Sequence, residues 1–211
     1  SKLNVTIKNV HFVGGDGYAI KVNKGVTLLT VENCTEKNYN YGFLYINNAV
    51  PTVVVKDVTI SDCNYGIRYS YGTNMTIENV VMTNAKNGLE VQNFASKTVT
   101  IKNSVITSIV IDEREGKSGV QTFNFVGNNT VGTLSTSEYA KYVLADKDAT
   151  LTAPAGFTVT VNDKDYNVAY ENGTYFSVEK NYVAQIGDKK FETLQAAVDA
   201  ADDATVILLN S

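Results

Sequence analysis

Apolar and polar residues alternate in a short motif that returns five times along the first half of the chain. The segments are Val5-Thr6-Ile7-Lys8-Asn9, Leu29-Thr30-Val31-Glu32-Asn33, Val53-Val54-Val55-Lys56-Asp57, Met75-Thr76-Ile77-Glu78-Asn79 and Val99-Thr100-Ile101-Lys102-Asn103. A period of two is the pattern of a strand buried on one face. The central residues Ile7, Val31, Val55, Ile77 and Ile101 are spaced 24, 24, 22 and 24 residues apart. A repeat of this length marks a solenoid, in which each unit buries its apolar face against its neighbours.

A second strand follows in the first four units, read as Ala19-Ile20-Lys21-Val22, Gly42-Phe43-Leu44-Tyr45, Gly66-Ile67-Arg68-Tyr69 and Gly88-Leu89-Glu90-Val91. Gly42, Gly66 and Gly88 mark a bend or a close approach where a Cβ is not tolerated. Two or three short strands per unit fit a β-helix coil better than a leucine-rich repeat, whose Leu and Asn fall at other offsets.

Stacking such coils at about 4.8 Å generates three rows. Asn9, Asn33, Asp57, Asn79 and Asn103 form a row suited to left-handed bends. Lys8, Glu32, Lys56, Glu78 and Lys102 alternate in sign, so in-register neighbours carry opposite charges. The inward row is apolar, each buried side chain contributing roughly 1.5–3 kcal/mol against about 0–1 kcal/mol for an exposed ion pair. The core sets stability, and the charge row sets register.

These coils resemble the right-handed parallel β-helix of the pectate-lyase-like superfamily, over residues 4 to about 107 and, more weakly, 108 to 160. The fold expected is all-β: a right-handed parallel β-helix of 22–24-residue coils, with a C-terminal β-hairpin and a short capping helix. Residues 108–180 read as degenerate coils and a closing β-element, with a turn at Asn172-Gly173. Residues 181–211 read as a hairpin turning at Gly187-Asp188, a helix over 193–202 capped by Thr193, and a strand. That tail resembles the start of another β-helix repeat, as in large surface proteins of gut Firmicutes. The resemblance implies that helix 193–202 covers an open first coil, in the same or a neighbouring molecule, giving head-to-tail or swapped self-association.

Composition supports this reading. Thr, Val and Tyr favour strands and Asn favours bends, and the chain holds only two prolines and no tryptophan. A net charge of −4 without a basic patch argues against nucleic acid. No apolar stretch approaches the length that spans a membrane. Cys34 and Cys63, the only cysteines, read as small buried thiols.

Chemistry is thin. The carboxylates are scattered: Glu32 and Glu78 sit in the charge row, Asp57 in the bend row, Asp16 in a glycine-rich turn, and Asp62 stands alone. Asp112, Glu113 and Glu115 are the densest acidic group, a weak candidate for Ca²⁺, the one cofactor considered. His11, the sole histidine, has no nucleophile beside it, and no catalytic residue is assigned. The tyrosines say more. Tyr18, Tyr41, Tyr65, Arg68, Tyr69 and Tyr71 gather before and within the second strands, with Leu44, Arg68 and Glu90 expected in one row. They either brace the ladder or present rings to a ligand. The function expected is a non-catalytic module, secreted or on a bacterial surface, that binds a glycan or a host protein such as mucosal immunoglobulin. The alternatives are a passive stalk and a polysaccharide lyase or glycoside hydrolase.

Overall fold

The computed structural model describes residues 3–112, 114–117, 119–136, 141–152, 158–161, 164–171, 174–179, 182–201 and 206–209; at 120, 135–136 and 141–179 it describes backbone only. Three strand directions are set by β1 (Leu3–Lys8), β2 (His11–Gly15) and β3 (Tyr18–Val22). The second turn is β4 (Val26–Tyr39) and β5 (Gly42–Ile46), the third is β6 (Thr52–Tyr69), and the fourth is β7 (Asn74–Gln92). The fifth is β8 (Lys97–Lys102) and β9 (Val105–Asp112), and β10 (Val120–Thr136) continues onto both. Every pairing between successive turns is parallel. The result is a right-handed parallel β-solenoid of about five turns, as the repeat spacing requires.

Register follows the anchors. Ile7, Val31, Val55, Ile77 and Ile101 stack in one line that continues onto Phe125. From Val31 onward each of these side chains is fully buried. The bend row takes the predicted conformation, with φ of 60, 50, 53, 52 and 45° at Asn9, Asn33, Asp57, Asn79 and Asn103. Short polar side chains tolerate this left-handed region and here bond to one another. Asn33 Nδ2 donates to Asn9 Oδ1 at 2.7 Å, and Asn79 Nδ2 to Asp57 Oδ1 at 2.9 Å. The row closes at Gly127, where a Cβ would lie 2.1 Å from Asn103 Oδ1. The charge row is also in register. Lys8 meets Glu32 at 3.1 Å and Lys102 meets Glu78 at 3.7 Å, while Lys56 turns to Asp57 at 3.9 Å.

Two features depart from the expected pattern. A second left-handed row, Asn38, Asp62 and Asn84 with φ of 64, 58 and 54°, forms the next corner, joined on the first turn by Gly14. Asn84 Nδ2 donates to Asp62 Oδ1 at 3.0 Å, so Asp62 is part of a ladder and does not stand alone. The third strands also align one residue away from the expected match. Ile20, Leu44, Ile67 and Leu89 share the inward row, so Leu44 is a core residue and does not stack beside Arg68 and Glu90. The outward row is Lys21, Tyr45, Arg68 and Glu90. The physical reason is a corner one residue longer on the first two turns: 13 residues separate Val31 from Leu44, but 12 separate Val55 from Ile67. Gly42 opens its strand because a Cβ there would lie 1.9 Å from the Tyr65 carbonyl oxygen.

The interior admits a carboxylate and an ammonium group, Glu36 and Lys97. Glu36 occupies the row of Phe12, Ile60 and Met82 and is buried. Its carboxylate accepts from the backbone N–H of Tyr39 at 2.9 Å and of Ser61 at 3.3 Å. Lys97 is 2% exposed. Its ammonium donates to the carbonyls of Gln92 and Ala95 and lies 5.7 Å from the Tyr69 ring centre. Burial lowers its pKa to about 8. Cys34 and Cys63 are buried free thiols.

Beyond the coils, β11 (Lys141–Thr152) runs parallel to β10. Then β12 (Thr158–Val161), β13 (Lys164–Glu171) and β14 (Thr174–Glu179) pair antiparallel, with β14 closing on β11. The turn expected at Asn172-Gly173 lies outside the described residues. A separate small sheet holds β15 (Ala184–Ile186), β16 (Lys189–Phe191) and, beyond α1 (Leu194–Ala200), β17 (Ile207–Leu208). Gly187 turns the hairpin at φ 55°, and the Thr193 hydroxyl caps α1 by accepting from Ala196 N–H at 3.2 Å. Ala197 packs with Ala184 and Phe191, whereas Leu194 and Val198 are exposed.

Candidate functional site

The outward face of the third strands gathers aromatic and charged side chains because parallel stacking puts one residue per turn over the last. Tyr18 stands at the entry to β3, and its ring centre lies 5.0 Å from Tyr45, 6.0 Å from Tyr41 and 6.3 Å from Tyr65. The Arg68 guanidinium lies 5.4 Å from the Tyr45 ring and 5.1 Å from the Tyr65 ring. Its Nε donates to Glu90 Oε1 at 2.6 Å. A planar cation stacked on two rings and paired to a carboxylate is held in one orientation.

Burial shapes the electrostatics. Glu90 is buried, which raises its pKa against the pull of the Arg68 charge. Burial alone would lower the Arg68 pKa, but Glu90 more than offsets this and the guanidinium stays charged. The Tyr18 hydroxyl is buried without a hydrogen bond of ordinary geometry, and burial raises its pKa while the adjacent Arg68 opposes the rise. Gln92 extends the network. Its amide Nε2 donates to Glu90 Oε1 at 3.2 Å and to Asp112 Oδ2 at 2.7 Å, and its Oε1 accepts from the Ser70 hydroxyl.

The structure thus brings together Tyr18, Tyr41, Tyr65 and Arg68, and adds Tyr45, Glu90 and Gln92. Tyr41 is the most open of the rings, at 54% exposure. Tyr69 is elsewhere: it faces inward and is fully buried, so no external ligand reaches its ring. Tyr71 lies two residues past the end of β6 and stacks on Phe94 at 4.6 Å, with Lys117 over the Phe94 ring. Glu90 stands beside Arg68 as its row predicts, whereas Gln92 was hidden, because a pattern of types does not show which polar side chains meet at one amide.

The acidic group after β9 is used internally. Asp112 Oδ2 accepts from Arg114 Nη2 at 2.7 Å as well as from Gln92, and Glu113 lies outside the described residues. Among the described residues no three His, Cys, Asp or Glu side chains converge to hold a metal ion, Asp112 and Glu115 included. His11 is exposed, with Nδ1 2.7 Å from Thr35 Oγ1.

The family model described as a right handed beta helix region matches residues 1–151. No curated protein and no solved structure matches the chain.

Proposed function

The chain belongs to the right-handed β-helix region family, and we propose that this member is a non-catalytic module displayed outside a bacterial cell, binding a glycan or a host protein through the outward face of its third strands. One observation carries the reading. Arg68 is stacked on Tyr45 and Tyr65 and fixed by Glu90, beside an exposed Tyr41. Tyrosine and arginine are the residues that dominate binding interfaces, and rings locked in advance lose little entropy when a partner arrives. Tyrosine rings also suit the apolar faces of sugars. The test is a screen of the purified chain against a glycan array and immobilised mucosal proteins, with Tyr65→Ala and Arg68→Ala alongside. A hit weakened in both variants supports the reading. Absence of any hit at high micromolar concentration favours the stalk.

A second reading has its own observation. One amide nitrogen touches both Glu90 and Asp112, so the two carboxylates are at most about 6 Å apart, near the spacing that retaining glycosidases use. Burial also raises the Glu90 pKa, as an acid catalyst needs. Against it, the Gln92 amide fills the gap where a glycosidic bond would sit, and the Arg68 charge opposes the rise in the Glu90 pKa. Release of reducing ends or unsaturated sugars from uronate polymers, abolished in Glu90→Gln, would establish this alternative.

A further inference from the structure

We infer that the corner between the second and third strands of turns two to four is a second binding site, built for a neutral β-linked disaccharide. The corner forms an open trough of about 520 Å³, within the size range of small-ligand sites. Turns two and three each supply three consecutive residues and turn four supplies two. The outer row is Asn38, Asp62 and Asn84, the left-handed ladder. The opposite row is Asn40, Asn64 and Lys86. Between them lies a floor that steps down from the half-buried Tyr39 to the buried Cys63.

Both ends of the trough are built features. On the first turn the corner is Gly14-Gly15, and a Cβ on Gly15 would lie 2.7 Å from the Tyr39 ring. The missing side chain leaves room for that ring against the first-turn backbone, at one end of the floor. On the fifth turn the corner is deleted: 12 residues run from Ile77 to Leu89 but only 8 from Ile101 to Ile109, although both pairs are in register. Thr107 and Ser108 take the short cut, donating hydroxyls to the Ala85 carbonyl at 2.8 Å and the Lys86 carbonyl at 3.4 Å. A corner serving only to turn the chain would need no such closure.

The lining matches hydroxyl chemistry. Asn84 bonds Asp62, and Asn64 Nδ2 bonds the Asn40 carbonyl at 2.7 Å. These bonds fix the two rows and leave further lone pairs facing the trough. Among the described residues the side chains of Asn38, Asn40 and Lys86 and the Tyr39 hydroxyl have no partner. Amides that both donate and accept suit sugar hydroxyls, and the Tyr39 ring suits a pyranose face. Asp62 and Lys86 cancel in charge, which selects a neutral ligand. Three stacked turns are two steps of ~4.8 Å, about 10 Å in all, the length of two sugar rings. The two rows run along the stacking axis, one residue per in-register turn, and a β-1,4 linkage gives an extended ribbon that follows such a line where an α-1,4 linkage curves.

No residue of the tyrosine face lines this trough, although Asn40 and Asn64 directly precede Tyr41 and Tyr65, and the inference does not rest on that face. The test is saturation-transfer NMR and calorimetry on the purified chain with cellobiose and N,N′-diacetylchitobiose, with maltose as the curved control. Asn40→Ala plus Lys86→Ala alters exposed side chains and leaves both ladders intact; circular dichroism checks its fold. The expected result is millimolar or tighter binding of a straight disaccharide, weakened at least about tenfold in the double variant and unchanged in Arg68→Ala. Failure of both straight probes to bind overturns the inference. So does binding that survives the double variant, and binding lost in Arg68→Ala instead would move the sugar to the tyrosine face. A chain that binds cellobiose in the trough yet shows no hit dependent on Tyr65 and Arg68 would refute only the earlier reading.

Discussion

Replacing Lys97 by methionine tests how dry the solenoid interior is. The ammonium is 2% exposed and its pKa falls from the ordinary 10.5 to about 8. Folded, it releases its proton near pH 8; unfolded, it keeps the proton until about pH 10.5. Between those values the unfolded chain binds more protons, so this residue's contribution to stability rises with pH. At about 1.36 kcal/mol per unit, the gain from pH 7 to pH 9.5 is about 2 kcal/mol. Cys63 acts in the opposite sense above pH 9, because burial pushes its thiol from 9.0 up to about 12 and the unfolded chain then loses the proton first. The wild-type curve alone is therefore ambiguous, and the difference between wild type and Lys97→Met is the quantity to measure. Urea unfolding followed by far-UV circular dichroism at pH 7, 8, 9 and 9.5 gives it. The difference should climb by about 2 kcal/mol in favour of wild type. A flat difference would mean that Lys97 titrates near its ordinary value, and hence that water reaches the interior beneath Tyr69.

Three further outcomes are expected. Gly42→Ala forces a Cβ to 1.9 Å from the Tyr65 carbonyl and should cost about 3 kcal/mol, read as a lowered midpoint of thermal unfolding. At Asn79, with φ of 52°, substitution by glycine should cost about 1 kcal/mol through the lost bond to Asp57, and substitution by valine about 2–3 kcal/mol through added backbone strain; equal losses would show that conformation does not govern the ladder. Burial raises the Glu36 pKa above 4.5, so the folded chain takes up this proton before the unfolded chain does. The stability of wild type relative to Glu36→Gln should therefore increase as pH falls from neutral toward 4.5, by denaturant titration across that range.

The fold was legible for a physical reason. In a parallel solenoid the sequence period is the spatial period, so one row of residues at fixed spacing becomes one line of contacts. The five anchors and the first asparagine row needed no further information. The same logic was available for the second row: Asn38, Asp62 and Asn84 follow Asn33, Asp57 and Asn79 at a constant offset of five. Reading Asp62 by charge rather than by place in the period hid it. Register of the third strands was less legible, because a corner can gain or lose a residue without disturbing the apolar pattern on either side. That single residue moved Leu44 from the surface row into the core and put Tyr45 in its place beside Arg68.

The candidate sites were harder to see, and corner length is again the cause. Strand residues are constrained by stacking, so their types reveal architecture and little else. A corner can be lengthened or cut with small loss of core contact. The chain keeps the protruding corner on turns two to four and removes four residues from it on turn five, while Ile77 to Ile101 and Leu89 to Ile109 stay in register. If bending were the corner's whole task, the short form of turn five would serve every turn. Its confinement to one end, with asparagines and a lysine on the longer corners, is what separates a scaffold element from a recognition surface. In this chain the variation in coil length at fixed register therefore singles out the corner, where the composition of the strands does not.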